Sequence, residues 1–383
     1  MSFSAFVTPG LPSQQADHPA PDYLIRLNGR DITSRFRARL ISLHLTDNRA
    51  FEADQVEIQL DDSDGLLEIP PRNATLQVAI GWKGAPLVDK GEFTVDEVEH
   101  SGTPDVLTLR GRSADMREGM TTKRERSFHK QTVETIIKTI AGQNNLIPVV
   151  GADFADQLVD HIDQTSESDA NLLTRLAEQF DAVATVKSKR LLFYKAGLGE
   201  TASGQALGTV TIKRRDGDRH TFSVAERQNY TAVKACWQDT AGAKKGEVTV
   251  DAKTEFQRVH ERTKRGRQSK RTKLQATKQP HFEPAADNVK VLRHVYASEA
   301  TATRAARAAW EKLQRGVAEF SITLTRGNAE LMPEVPVRVS GFKPVIDGTQ
   351  WLAASVDHTI DGGGGFTTGV KLEIRLHDLV EDI

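Results

Sequence analysis

Glu167 and Asp169 stand two residues apart, just ahead of Leu172, Leu173, Leu176, Ala177 and Phe180. Paired carboxylates are the minimal equipment for general acid–base hydrolysis. The same position has a second reading. Acids gather in the first turn of a helix because its free N–H groups carry partial positive charge. Ser166 followed by Asp169 also has the spacing of a capping box. Capping is the expectation, and no catalytic residue is assigned.

Other chemistries fail on residue type or spacing. Gly-x-Ser-x-Gly and Gly-x-x-x-x-Gly-Lys-Ser/Thr are absent, so neither a nucleophile elbow nor a phosphate loop is present. His260-Glu261 lacks the second histidine of a zinc helix. Cys236 is the one cysteine. It lies in the alternating segment 233–237 and reads as a small buried hydrophobe. With no partner it forms no intrachain disulfide, as expected of a chain folding in a reducing cytoplasm. His100 and His358 could meet around a ring at a metal, but strand-end packing is the plainer reading. No metal or cofactor is expected. Gly362–Gly365 precedes no helix and reads as a hairpin tip. From Arg258 to Lys278 nine Lys or Arg face one acid, Glu261. That run is either an electrostatic contact for DNA or an acidic partner, or a solvated loop inside the second β-module. It has almost no aromatics to stack on bases.

The whole chain carries a net charge of −1, against the basic excess of nucleic-acid binders. Residues 1–21, rich in Pro, Ser and Ala, lack the basic and apolar regions of a signal peptide and read as a flexible arm. No apolar stretch approaches the ~20 residues of a membrane helix.

The elements that position these residues are mostly strands. Val56, Ile58 and Leu60 alternate with polar residues, as do Leu76, Val78 and Ile80, then Leu107 and Leu109. Val133, Ile136, Ile137 and Ile140 take helical spacing, as does the run from Leu172 to Phe180. A helix with Ser298 as N-cap and Gly316 as terminator carries Ala302, Ala305, Ala306, Ala309 and Leu313 on a narrow packing face. Strands return after it.

The last strand region echoes the first. Leu60, a turn, Leu66-Leu67 and Pro70-Pro71 parallel Leu324, a turn, Leu331-Met332 and Pro333. Gly81-Trp82 parallels Gly341-Phe342. Asp89, Phe93 and Val98-Glu99-His100 parallel Asp347, Trp351 and Val356-Asp357-His358 at the same Asp-to-His spacing. Each region closes on an alternating strand ending in arginine, 106–110 and 370–375. Two copies of one barrel in one chain are expected, so that a trimer presents six similar modules in a ring. Exposed edge strands of one module would be covered by the next subunit.

At these residues the chain resembles the phage late control D family, tail hub proteins of contractile-tailed phages related to the hub part of type VI secretion spikes. The resemblance rests on 51–60, 91–98, 161–169 with Leu172-Leu173, the helix 298–316, and Val339-Ser340-Gly341-Phe342, Trp351, His358 and Gly365-Phe366-Thr367-Thr368. It implies a mainly β, α+β chain: an arm (1–21), a first tube-like barrel (22–115), an α/β insert (116–204), a second barrel (205–240 and 291–383) and a polar, basic insert (241–290). It further implies a non-enzymatic homotrimeric adaptor in the virion, assembled in the host cytoplasm. Its partners would be the tail tube protein, a trimeric spike protein on a separate polypeptide, the tape-measure protein and other baseplate proteins, with DNA only in transit and no membrane insertion. Two rivals remain: a DNA-binding late-gene regulator using 258–278, and a cell-wall hydrolase using Glu167 or Asp169. No helix-turn-helix with a basic recognition face supports the first.

Overall fold

The computed structural model describes residues 20–375 and 380–381, apart from 50–52, 72, 114–118, 188, 225–229, 240–241, 253, 255, 263–267, 277–287 and 364. Residues 1–19 of the expected arm lie outside the described residues.

The first module comprises β1 (Pro21–Leu27), β2 (Arg30–Asp31), α1 (Thr33–Arg37), β3 (Leu40–Asp47), β4 (Gln55–Asp61), β5 (Thr75–Trp82), β6 (Val88–Ser101) and β7 (Val106–Ser113). The period-two alternation is the cause of its core. Val56, Ile58 and Leu60 on β4, Leu76, Val78 and Ile80 on β5, and Leu107 and Leu109 on β7 share one buried cluster with Leu43 and Leu45. Each such side chain removed from water contributes roughly 1.5–3 kcal/mol before entropy is charged. The strands run β3-β4-β7-β6-β5-β1 across the sheet.

A helical insert follows: β8 (Lys123–Thr132), α2 (Val133–Gln143), β9 (Ile147–Val150), α3 (Ala152–Ala155), β10 (Leu158–Ser168), α4 (Asp169–Phe180), β11 (Ala182–Lys187) and β12 (Arg190–Lys195). The apolar faces of α2 and α4 meet in their own core with Phe154, Phe193 and Leu191. The cap of α4 differs from the expectation. Ser168, not Ser166, accepts the hydrogen bond from the Asn171 N–H. Ser166 sits at φ 49°, where the register of β10 on β8 shifts. The irregularity carries the chain past Ser166, so the extended residue that can cap comes two positions later.

The second module contains β13 (Val210–Lys213) and β14 (Gly217–Val224). Next come β15 (Ala232–Asp239), β16 (Lys244–Asp251), β17 (Phe256–Arg262), β18 (Gln268–Ala276), β19 (Val289–Tyr296) and α5 (Glu299–Arg315). The chain ends with β20 (Ala318–Leu324), β21 (Pro336–Ser340), α6 (Pro344–Asp347), β22 (Trp351–Asp361), β23 (Phe366–Ile374) and β24 (Val380–Glu381). The order β14-β20-β23-β22-β21-β13 repeats the first module strand for strand. Register shifts recur at matching places. One falls between Leu40 and Ser42 on β3 and between Gly217 and Arg219 on β14. Another falls between Val95 and Glu97 on β6 and between Ala353 and Ser355 on β22. Register equates Leu109 with Val370, so the terminal arginines noted in the sequence do not correspond. One pairing differs in sense: β1 runs antiparallel to β5, β13 parallel to β21. Each module wraps a sheet around its own core, and β22 pairs with β3 to fuse the two sheets into one.

Two expectations need correction. β15 and β19 do not join the second module's sheet. They pair with each other, β15 also pairs with β16, and this sheet buries Val233 and Ala235 against Trp310 of α5. The alanines of α5 allow that close seat, and Ala302 and Ala306 are fully buried there. The described part of the basic run is not a loop: β17 and β18 pair antiparallel, β17 also pairing with β24. Alternation within 256–262 and 268–276 is masked in the sequence by the density of charge.

Candidate functional site: the polar sheet face and the buried junction

The strands that bury Leu43, Leu45, Val56, Ile58 and Leu109 turn their alternate residues to the opposite, polar face. Register lines these residues up. On that face Arg110 is bonded by Glu57 (2.8 Å), Glu97 (2.9 Å) and Glu99 (3.0 Å). The Arg110 guanidinium accordingly sits above its usual pKa and holds Glu57 below the carboxylate range. Across the fusion of the modules, Thr46 Oγ1 donates to Asp357 Oδ1 (2.8 Å), and His44 Nδ1 and Thr359 Oγ1 lie 3.0 Å apart. Glu319, Ser321, Thr323 and Lys371 continue the face on β20 and β23. Its charged residues include five carboxylates, Glu57, Glu97, Glu99, Glu319 and Asp357, and four cations, Arg110, Arg112, Arg219 and Lys371. Such a nearly balanced surface lacks the basic excess that holds a phosphate backbone.

A second, buried network of alternating charge ties four parts of the chain together. Arg49, between β3 and β4, forms an ion pair with Glu334 (2.6 Å) and donates a hydrogen bond to Glu373 (2.6 Å), both of the second module. Glu373 also meets Arg315 of α5 (3.4 Å), and Arg315 forks onto Asp181 of the helical insert. Lys195 bridges Asp181 and Glu311, and Arg307 Nε closes on Glu311 (2.7 Å). Burial raises the pKa of Glu334, which has Arg49 and the Gly197 N–H (2.9 Å) as partners. Burial acts the same way on Asp181, but Arg315 and Lys195 override it and hold the carboxyl at about 2. A second tie is Lys90, buried between Asp47 Oδ2 (2.9 Å) and the Leu331 carbonyl (3.2 Å). A third is Trp82 Nε1, which donates to the Gly327 carbonyl (2.8 Å) while its ring packs on Phe366.

Residues 55–364 match the model of the phage tail baseplate hub family. The chain belongs to that family. It is 50% identical over 370 residues to a probable baseplate hub protein of Escherichia phage 186, covering 94% of each chain. It is 49% identical over 366 residues to that of Escherichia phage P2, again 94% of each. Similar folds are solved for a tail protein from Neisseria meningitidis (TM-score 0.63, 13% identity, 94% of this chain and 100% of that one). Another is a prophage tail protein from Shewanella oneidensis (TM-score 0.62, 15% identity, 92% and 98%). The protein is a structural baseplate hub, and baseplate hub proteins of phages are components of the virion tail.

Within the hub, the residues that drew attention as possible chemistry have structural partners. Glu167 bonds Arg175 (2.7 Å). Asp169 is fully buried, held by Arg126, by Gln164 Nε2 (2.8 Å) and by Asn144 Nδ2 (2.9 Å). It therefore anchors the helical insert in addition to opening α4. His100 and His358 occupy matching places on β6 and β22 but opposite environments. His100 is partly exposed beside Asp62 (3.3 Å), whereas His358 is buried with Nδ1 on Thr368 (3.0 Å). Among the described residues, no group of three or more His, Cys, Asp or Glu is placed to hold a metal. Cys236 is half-buried on β15, opposite Glu247 and Val295. The backbone of Gly362–Gly363 turns between β22 and β23, while Gly364 lies outside the described residues. His260 and Glu261 lie on β17, whose side chains past Phe256 are outside the described residues. No described helix is long and apolar enough to cross a membrane. Sequence reading missed the Arg49–Glu334 junction, because nothing in a linear string pairs residues so far apart. The Glu97, Glu99 and Arg110, Arg112 alternation was a signal for the polar face that it could have used.

Proposed function

We propose that three copies of this hub form a ring of six similar β-modules. The ring joins the six-fold tail tube to a three-fold spike and encloses part of the ejection channel. The observation that carries the reading is the duplication: the same strand order with register shifts at the same two places in both modules. One chain thus supplies two near-equivalent surfaces, and closed rotational symmetry is the common way to use them. The polar face lines the channel, where a slight acidic excess lets DNA pass without being held. The helical insert (116–204) and the region around 241–290 face baseplate neighbours, the spike and the tape-measure protein. The role is mechanical: the hub carries no catalytic centre and no cofactor, does not insert into a membrane, and is assembled in the host cytoplasm before joining the virion. Mass measurement in solution, alone and with a co-expressed spike protein, tests the reading. A species of three chains is expected in at least the co-expressed sample, and a monomer in both overturns it.

A further inference from the structure

Among the described pairings, the joint between the two modules inside the chain has no counterpart at the free edges of β6 and β14. β22 is long enough to serve two neighbours. Its first residues face β21, and Val356–Asp361 pair with β3 in the register Val356–Asp47, Asp357–Thr46, His358–Leu45 and Thr359–His44. Its equivalent, β6, is also long and pairs with β5 over Val88–Thr94. Among the described pairings, Glu97–Ser101 of the remaining half have β7 on one side and no strand on the other. Likewise β14, the equivalent of β3, has β20 as its single described neighbour.

Burial follows the same division. Leu43, Leu45, Val356 and His358 at the internal joint are fully buried. Their equivalents His220 and His100 are exposed, Phe222 and Val98 half-exposed, and Val224 at the end of β14 is 54% exposed. Positions built for a covered seam stand uncovered at both ends of one chain, and unpaired strand edges of this kind recruit a strand from another chain.

Resting on the ring reading above, we propose that residues 98–101 of β6 pair antiparallel with β14 of a second copy, in the register of the internal joint. Val98 then faces the neighbour's Val224, Glu99 its Ser223, His100 its Phe222 and Ser101 its Thr221. The polar contacts carry over in kind. The hydroxyl of Ser223 meets the carboxylate of Glu99 as Thr46 meets Asp357 (2.8 Å). Thr221 meets Ser101 as His44 meets Thr359 (3.0 Å). Val98 and Val224 add an apolar pair. The contact is head-to-tail, with one donor edge and one acceptor edge per chain, which closes a ring if the rotation is right.

The test uses disulfide capture in the full-length chain with Cys236→Ser. Directly opposed residues across an antiparallel pair have Cβ atoms about 4.5–5.5 Å apart, within small adjustment of disulfide geometry. Protein carrying E99C is mixed with protein carrying S223C and oxidised, circular dichroism confirming that both fold. A two-chain covalent band is expected from the mixture, and a three-chain band from the double variant. Q59C, on the same polar face but mid-sheet, mixed with S223C gives no band. Mass measurement on uncross-linked protein, alone and with a co-expressed spike protein, separates the two claims. A three-chain species without the E99C–S223C band overturns the seam and leaves the ring; a monomer in both samples overturns both. Equal capture by Q59C, or stronger capture by S101C than by E99C, overturns the register.

Discussion

Thr46 and Asp357 are 311 residues apart in the chain, yet the Thr46 hydroxyl donates to the Asp357 carboxylate over 2.8 Å. That bond marks the line where the two β-modules become one sheet, and the ties around it govern how the hub responds to substitution.

Arg49→Ala removes the cation between Glu334 and Glu373 and leaves Glu334, 2% exposed, with its charge uncompensated. Breaking a buried pair from one side costs about 3–5 kcal/mol. Urea unfolding is expected to show a loss of that size. Adding Glu334→Gln to R49A should recover part of it, because burial already favours the neutral form of Glu334. An unchanged midpoint for R49A would show that the junction carries no stability.

Stability should fall as acid is added below neutrality, with His358 as one cause. Burial, assisted by the nearby Lys90 ammonium, pushes its pKa down to about 3 in the folded chain. The unfolded imidazole binds a proton near 6.5. The folded pKa is therefore the lower one, so between pH 6.5 and about 3 the unfolded state holds more protons and gains on the folded state. The slope approaches ~1.4 kcal/mol per pH unit per chain, and the contribution is constant above pH 6.5. Urea midpoints from pH 8 to 5 should decline below 6.5 for the parent protein and be flatter for His358→Asn. Equal slopes would remove His358 from the account.

A methyl group added at Gly362 would lie 1.9 Å from the Leu40 carbonyl oxygen, a backbone atom that cannot step aside. The Gly362 N–H also donates to the Ile41 carbonyl (2.8 Å), so the hairpin tip is pinned to β3. Gly362→Ala should cost about 1–3 kcal/mol, the range for overpacking. Gly363→Ala meets only the Asp361 side chain and should be close to neutral. Thermal unfolding of the two variants gives the comparison, and equal effects would refute the steric account.

Asp169 and Glu167 should separate by stability and not by hydrolysis. Asp169→Asn strands Arg126 and weakens Arg124, both directed at a fully buried carboxylate, at a cost of roughly 3 kcal/mol. Glu167→Gln loses a partly exposed pair and should change stability by under ~1 kcal/mol. Zymograms of the parent protein should show no cell-wall clearing; clearing that disappears with either variant would restore the hydrolase reading.

Replacing residues 257–276 by a short Gly-Ser linker removes the basic hairpin and keeps the buried Phe256. Gel shifts at moderate salt should show no DNA complex for either form, and the number of chains per assembly should be unchanged. A salt-sensitive complex lost with the hairpin would favour the regulator.

Period two in Val56, Ile58 and Leu60 and in Leu107 and Leu109 was enough to place strands and choose their buried face, because a strand alternates its side chains whatever surrounds it. The matched spacing of Asp89, Phe93 and His100 with Asp347, Trp351 and His358 was enough to disclose two copies of one module. Local pattern also located α5 between Ser298 and Gly316, since caps act within one turn. It could not assign the cap of α4 to Ser168, because the φ of Ser166 is set by a bulge against another strand. Nor could it keep β15 out of the second module: an alternating strand fits any sheet, and only packing against α5 chose one. The unlike fates of His100 and His358 have the same origin. Sequence made them equivalent, and the presence of β3 beside one and of no described strand beside the other made them different. Spacing along a chain fixes what each segment can bury, while which segments meet depends on distant contacts that no local pattern encodes.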